Sequence, residues 1–312
     1  MTELSAAAPA PPADLDFARH VRAIRSHWSG LADKPHETPE NTLRALWFAA
    51  AGDPRSAARA ERDALPALSD AGRERLSALV VRRLAGEPLA HITGRESFLD
   101  LELICGPEAL VPRRETELLG RAALERLRRT VTERGRAAQV VDLCTGCGNL
   151  AVALAHHEPR CEVLGADLSP EAVALAARNA GFCGVADRAR FAVGDLFAPV
   201  AQAGLAGRVD LVVCNPPYIS TPKLAKLPDE IARFEPRLAF DGGAFGISVL
   251  FRLVQEAPRY LRPGAWLCFE TGAGQGDPMA KRLEREGYAE IQRVHDAAGE
   301  TRALLARTAG AA

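Results

Sequence analysis

The stretch Gln139-Val140-Val141-Asp142-Leu143-Cys144-Thr145-Gly146-Cys147-Gly148-Asn149 decides the fold. Residues 139–143 form a short apolar run, as a buried strand requires, and two glycines follow at once. Glycine lets a backbone bend sharply and come close to a ligand, and its amide offers a donor. A strand that runs into such a loop and then into helical text opens an α/β unit. The spacing is G-x-G only. The position three after Gly148 is Ala151, so the longer G-x-G-x-x-G dinucleotide fingerprint is not met.

Downstream, strand and helix signals alternate. Residues 161–166 read as a second strand, after which Ser169-Pro170-Glu171 opens a helix with Ser as cap and Pro in the first position. Gly181 is expected to stop that helix. Further strands are expected at 190–193, 209–214 and 266–269, a helix at 246–261, and a closing antiparallel pair at 288–294 and 302–305. Such alternation implies a parallel sheet with helices on both faces. Asp167 ends the second strand, where a carboxylate can hold both hydroxyls of a ribose. Asp195, in Gly194-Asp195-Leu196-Phe197, ends the third, where it can accept from an adenine amino group while Leu196 packs on the base. This series fits S-adenosylmethionine better than a nicotinamide dinucleotide. The candidate donor-binding residues are therefore Asp142, Cys144, Thr145, Gly146, Cys147, Gly148, Asp167, Asp195, Leu196 and Asn215. Cys144 and Cys147 have C-x-x-C spacing, but no second pair at such spacing completes a zinc site, so they read as small loop-filling residues and no metal is expected.

The apolar run 209–214 ends in Asn215-Pro216-Pro217-Tyr218. Two prolines cannot continue a strand, so the tetrad is a stiff loop at the strand's carboxyl end, where open α/β sheets bind ligands. An amide nitrogen is a poor nucleophile because its lone pair is delocalised; it must be oriented. The Asn215 side-chain oxygen can accept one N–H and the Pro216 carbonyl the other, while neither proline has an N–H to compete. Tyr218 can pack its face on a planar amide. Positioning of this kind supplies ~7–11 kcal/mol in favourable cases. The candidate catalytic residues are Asn215, Pro216, Pro217 and Tyr218.

The 312 residues suggest about two domains, and the formal net charge of −1 gives no global basic field for nucleic acid. Seven scattered cysteines are an odd count without a pairing framework. No apolar stretch approaches the ~20 residues of a membrane span, and the Ala/Pro-rich beginning is not a signal peptide. A cytoplasmic protein is expected. Residues 1–14 read as a disordered tail. Residues 17–84 are helical text, with Leu43, Leu46, Trp47 and Ala50, then Leu76, Leu79, Val80 and Leu84, at helical spacing. Residues 86–112 are punctuated by Gly and Pro, and Phe98-Leu99-Asp100-Leu101-Glu102-Leu103 alternates, which fits a β-hairpin or short extended linker.

With these segments in view, the chain resembles the HemK family of protein glutamine-N5 methyltransferases. Asn215-Pro216-Pro217-Tyr218 matches that family's NPPY. Gly86-Glu87-Pro88-Leu89-Ala90-His91-Ile92-Thr93-Gly94 is similar to its EPxAYxTG linker, and Val111-Pro112-Arg113-Arg114-Glu115-Thr116-Glu117 to its IPRPETE. Phe234-Glu235-Pro236-Arg237-Leu238-Ala239 and Glu270-Thr271-Gly272-Ala273-Gly274-Gln275-Gly276 resemble two further segments. The likeness covers most of residues 75–308. It implies a seven-stranded class I methyltransferase sheet, Rossmann-like, with a small helical N-terminal domain and a β-hairpin linker. The implied division is a helical substrate-recognition domain at 15–85, the linker at 86–114 and the S-adenosylmethionine-dependent domain at 115–312. It also implies a protein substrate, a release factor or a ribosomal protein, and no membrane or sequence-specific nucleic-acid partner; a monomer is expected. Phe98 matches an aromatic of the linker and is a candidate wall of the substrate pocket, with Arg113 and Glu115 as candidate orienting residues. The sequence departs from the family at Cys147, Asn149 and Arg114. His36-Glu37-Thr38-Pro39-Glu40-Asn41-Thr42 resembles the ribosomal-protein branch, whereas Gly272–Gly276 and Asp296-Ala297-Ala298-Gly299 resemble the release-factor branch. Methylation of an exocyclic amine on a nucleic acid or a small molecule, and a binding paralogue without catalysis, remain alternatives at this stage.

Overall fold

In the computed structural model, which describes residues 12–27 and 34–310, the chain divides into two compact units between Thr93 and Gly94. The first is helical: α1 (Pro12–His27), α2 (Pro39–Ala50), α3 (Ala57–Ala60), α4 (Asp70–Leu84) and α5 (Leu89–Thr93). Three of these helices start as their sequences dictate. The side chains of Thr38, Ser56 and Ser69 accept from Asn41, Arg59 and Gly72 backbone N–H groups, and Pro39 takes the first position of α2. Leu43, Leu46, Trp47 and Ala50 all face inward, against Leu76 and Val80 of α4. The expected tail is corrected in part: residues 12–14 belong to α1, and residues 1–11 lie outside the described residues. The expected linker also opens differently, because residues 89–93 are helical and fall in the first unit.

The second unit begins with a hairpin, β1 (Arg95–Phe98) and β2 (Leu101–Ile104). Its two-residue turn is Leu99-Asp100, both left-handed at φ 47° and 66°. Two left-handed residues match the right-handed twist of the strands, a role usually given to Asn-Gly. Here the turn is held from outside: the Leu99 N–H donates to Glu117, its carbonyl bonds His157 Nε2, and its side chain is buried. The alternating run 98–103 is thus two strand ends around a turn.

The main sheet follows: α6 (Arg114–Arg134), β3 (Ala138–Leu143), α7 (Asn149–His157), β4 (Cys161–Asp167), α8 (Pro170–Phe182), β5 (Ala189–Val193), α9 (Ala198–Gln202), β6 (Val209–Cys214), α10 (Asp229–Phe234), α11 (Ser248–Glu256), β7 (Leu261–Glu270), α12 (Gly276–Arg285), β8 (Glu290–His295) and β9 (Thr301–Arg307). The seven strands lie in the order β5-β4-β3-β6-β7-β9-β8, parallel as far as β7 and antiparallel across β7–β9 and β9–β8. All six residues of β6 are buried, as the continuous apolar run of a central parallel strand predicts. Alternate residues feed two cores. Val140, Leu211 and Val213 join Leu119, Ala123 and Leu127 of α6 on one face; Val141, Val212 and Phe269 join Leu250 and Leu253 of α11 on the other.

Two sequence boundaries move. Gly181 lies inside α8, and the chain turns only at Gly184, with φ 70°. The expected helix 246–261 is α11 plus a 3₁₀ turn at Ala257–Arg259, because β7 already starts at Leu261. The β6–β7 pairing jumps from Leu261 to Trp266, so Pro263 and Gly264 lie in a register break. Among the described residues no helix is long and apolar enough to cross a membrane.

Candidate active site

The order of the strands sets the site. From β3 the chain moves outward to β4 and β5, then returns to lay β6 on the other side of β3. At this switch point Leu143 pairs with Cys214, so the loop of residues 144–148 and the loop of residues 215–218 leave the sheet side by side. They share a cleft of about 1100 Å³, part of it open to solvent.

The glycine loop has the geometry its sequence requires. Gly146 and Gly148 are left-handed, at φ 54° and 80°. A Cβ on Gly146 would meet nothing within 4 Å, whereas one on Gly148 would strike Ala176. Gly146 thus leaves open room beside the cleft, and Gly148 makes room for α8. Asp167 ties the loop down: Oδ2 accepts from the Gly146 N–H at 2.8 Å and Oδ1 from the Ser169 N–H at 3.0 Å. Asp142 lies fully buried under the loop, outside the cleft lining, with Oδ2 accepting from Thr145 Oγ1 at 2.5 Å and the Ala151 N–H at 3.1 Å. Burial pushes its carboxyl up to about 7, against those two hydrogen bonds. Cys144 and Leu196 are non-glycine residues with φ 55° and 45°, and both line the cleft. Backbone strain of this kind costs on the order of 1–3 kcal/mol and collects at ligand sites.

Cys147 is buried, its thiol pushed up to about 12 by desolvation, so it holds no thiolate at neutral pH. The thiol that meets Cys144 is Cys214, raised by burial and by that contact. Asp195 lines the cleft but is half-exposed and paired to Arg252 at 2.9 Å, a partner that sequence reading missed.

In the second loop, Asn215 and Pro217 line the cleft; Pro216 is buried and Tyr218 stands behind. Asn215 Nδ2 donates to Thr116 Oγ1 at 3.1 Å, and Tyr218 Oη donates to Glu270 Oε1 at 3.1 Å. Glu270 is buried at the end of β7, and Thr116 is buried in the first turn of α6. Desolvation lifts the Glu270 carboxyl to about 7, while hydrogen bonds from Thr116 and Tyr218 work the other way. The loop's backbone is fixed by Gln275, whose Nε2 donates to the Tyr218 and Gly246 carbonyls at 3.0 and 3.2 Å. A Cβ on Gly246 would lie 2.4 Å from the Tyr218 carbonyl oxygen, and one on Gly272 would press the Tyr218 ring. These two glycines permit the close approach.

Of three further candidates, one reaches the cleft. Phe98 is buried in the core against Gly120 of α6 and does not line the cleft. Arg113 reaches the cleft wall, but its guanidinium is paired with buried Glu235, whose Oε2 also accepts from the Val111 N–H at 3.0 Å. That pair joins the 111–117 and 234–239 segments, which the sequence leaves 122 residues apart. Glu115 is ion-paired with Arg302 of β9 and does not line the cleft.

Known proteins resemble this chain. The family model of the PrmC N-terminal domain matches residues 24–94, and that of the methyltransferase small domain matches residues 121–232. A protein of Moorella thermoacetica named release factor glutamine methyltransferase is 36% identical over 285 residues, 91% of this chain and 95% of its own. The chain belongs to the release factor glutamine methyltransferase family. A relative of the same name from Geobacter sulfurreducens is 39% identical over 229 residues, 73% of this chain and 76% of its own. The likeness first read from NPPY and its flanking segments therefore holds, and the protein is an S-adenosylmethionine-dependent methyltransferase. Among solved structures, the hMettl16 catalytic domain in complex with MAT2A 3′UTR hairpin 1 superposes with a TM-score of 0.54 at 13% identity, over 96% of this chain and 94% of that one. That likeness is one of fold.

Proposed function

We propose that this protein transfers the methyl group of S-adenosylmethionine to the side-chain amide nitrogen (N5) of a glutamine in a peptide chain release factor. The observation that carries this reading is the adjacency of the two loops at the switch point, one with open space at Gly146 and one presenting Asn215. The name borne by the relatives supplies the substrate.

The donor fits the first loop. The left-handed glycine, the carboxylate of Asp167 at the end of β4 and the apolar Leu196 suit a ribose and a base, and residues 144–148 with Asp195 complete the set. When bound, the sulfonium supplies the electrophilic methyl carbon. The protein's part is to orient the amide. With its nitrogen engaged by Thr116, Asn215 offers its oxygen to one substrate N–H, and the Pro216 carbonyl takes the other. Tyr218 supports the amide plane. The nitrogen lone pair then faces the methyl carbon, and the cleft limits water access. The helical unit before residue 94 is assigned substrate recognition, supported by its match to the PrmC N-terminal domain. The partner is taken to be a protein alone, without sequence-specific nucleic-acid contact, and the enzyme to act as a monomer in the cytoplasm.

Methyl-labelled S-adenosylmethionine, the full chain and a purified release factor test the proposal. Label on a glutamine amide, located by peptide mass, is the expected result. Label on nucleic acid instead would transfer the activity to exocyclic amines, and donor binding by calorimetry without transfer would leave only a binding protein.

A further inference from the structure

Residues 219–247 carry the chain from the nitrogen-binding loop to α11, and one side chain there is unused by the fold. The Gly246 N–H donates to the Gly243 carbonyl at 3.1 Å, which closes a β-turn with Ala244 and Phe245 at its corners. Such corners usually go to Gly, Asn, Asp, Ser or Pro. Here one of them is Phe. At 81% exposure, Phe245 is the most exposed large apolar residue among those described.

The turn itself is fastened. Gly243 and Gly246 are left-handed, at φ 84° and 72°, and a Cβ on Gly242 would lie 2.6 Å from the Pro217 carbonyl oxygen. The Gly242 N–H donates to the Ile219 carbonyl at 2.8 Å and the Thr221 N–H to the Gly243 carbonyl at 2.9 Å. Gln275 Nε2 holds the Gly246 carbonyl at 3.2 Å. The glycines thus fit the turn tightly against residues 217–221, while Ala244 and Phe245 face solvent. A ring carried on an ordered backbone loses little freedom when a partner covers it, so its burial is retained as affinity.

The position of the turn says what covers it. A glutamine that reaches Asn215 arrives on a protein, and a standard interface takes ~800 Å² of each partner, a patch roughly 16 Å in radius. The turn packs on Pro217, which lines the cleft, and on the Tyr218 carbonyl. Both are within three residues of Asn215, so a partner centred there reaches the turn. Half-exposed Leu238, from the same segment, lines the cleft and offers that partner a second apolar contact. The charges favour a polypeptide over a nucleic acid. An aromatic that stacks on bases works beside cations that hold phosphates. Residues 239–250 contain no Lys or Arg. Their one charged residue is Asp241, which accepts from Thr221 Oγ1 at 2.7 Å and the Gly243 N–H at 3.1 Å, with Arg237 at 3.6 Å.

We propose that Phe245 is a docking residue for the protein that carries the target glutamine, and that an apolar side chain of that protein covers the ring while the amide enters the cleft. This rests on the glutamine reading above. Phe245 adds affinity and takes no part in the transfer, because it stands outside the cleft lining.

Steady-state methyl transfer to a purified release factor, with the full chain, tests this. In Phe245→Ala, KM for the release factor is expected to rise about tenfold or more, the scale of burying one Phe side chain. The kcat, the donor Kd and the urea midpoint should stay as they are, since an exposed corner supports neither the fold nor the donor. Phe245→Leu, which keeps most of the apolar area, should hold KM within about threefold. A further arm uses the unaltered protein: saturating release factor should slow hydrogen exchange at the Ala244 and Phe245 amides about tenfold. An unchanged KM in Phe245→Ala, a fall in kcat in place of the rise in KM, or unchanged exchange at the turn overturns the inference. So does slowing produced by RNA and not by the release factor. Failure of the unaltered protein to methylate the release factor overturns the glutamine reading instead.

Discussion

Two carboxylates lie buried at opposite ends of one sheet, and they are treated in opposite ways. Asp210, near the amino end of β6, meets Arg134 at 2.5 Å, Arg136 at 2.9 Å and Arg262 at 3.4 Å, and its second oxygen accepts from the Gln139 N–H at 2.9 Å. Glu270, at the carboxyl end of β7, accepts from the Tyr218 hydroxyl at 3.1 Å, and its second oxygen has no hydrogen-bond partner among the described residues. The first arrangement closes the accounts of a buried charge and joins α6, β3, β6 and β7 together. The second leaves one buried oxygen unmet, behind the loop that carries Asn215 and Tyr218. A buried carboxylate oxygen left without a donor costs stability, whereas the arginines around Asp210 answer its charge.

The contrast can be broken first at its stable end. Asp210→Ala should destabilise the fold by about 3 kcal/mol, the lower end of what breaking a buried pair costs, because the three arginines are partly exposed and regain water. Urea unfolding should show this loss while methyl transfer per folded molecule stays unchanged. A fall in kcat as large as the fall in stability would mean that the amino end takes part in the chemistry. At the other end, Asn215→Ala should reverse the pattern. Loss of a positioned acceptor should lower kcat about a hundredfold, with the urea midpoint little moved. Retained kcat would remove Asn215 from the mechanism.

A third measurement sharpens the comparison through pH. Burial lifts Glu270 from 4.5 to about 7, so between those values the folded chain holds a proton that the unfolded chain has released. Stability contributed by that proton is present at low pH and lost as pH rises through about 7. Glu270→Gln should flatten the fall in stability between pH 5 and pH 8 by on the order of 2 kcal/mol, leaving the similar share of Asp142 in place. An unaltered slope would place the titration elsewhere. The smallest effect belongs to a pair that is neither buried nor demanding. Arg252→Ala frees half-exposed Asp195 for the donor; such surface pairs are worth ~0.2–1 kcal/mol, so the donor Kd should tighten by at most about fivefold. Weaker donor binding would mean that Arg252 itself holds the donor.

Much of this is legible in the sequence. The strand-loop-helix text at 139–149, the Ser169 cap and the buried run 209–214 announce themselves through periodicity and local propensity, and each appears where expected. Local text misleads where distant contacts decide. Leu99-Asp100 carries no turn signal, yet adopts a left-handed pair because Glu117, His157 and the core hold it. Gly181 looks like a stop, but a helix tolerates one glycine when the next turn of chain still packs. Arg113 and Glu115 stand in one segment that resembles the family, but their ion-pair partners, Glu235 and Arg302, lie far along the chain, where local text cannot point to them.

The sequence by itself determined the α/β class, the two loops and the kind of nitrogen chemistry they suit, because each is encoded within a dozen residues by strand length, glycine freedom and proline stiffness. Only the tertiary structure decided what stands behind Asn215 and Tyr218. Thr116, the partner of Asn215, is 99 residues away, and the carboxylate that accepts from Tyr218 belongs to another strand, β7. The direction of a hydrogen bond depends on what lies next in space, and chain order does not record that.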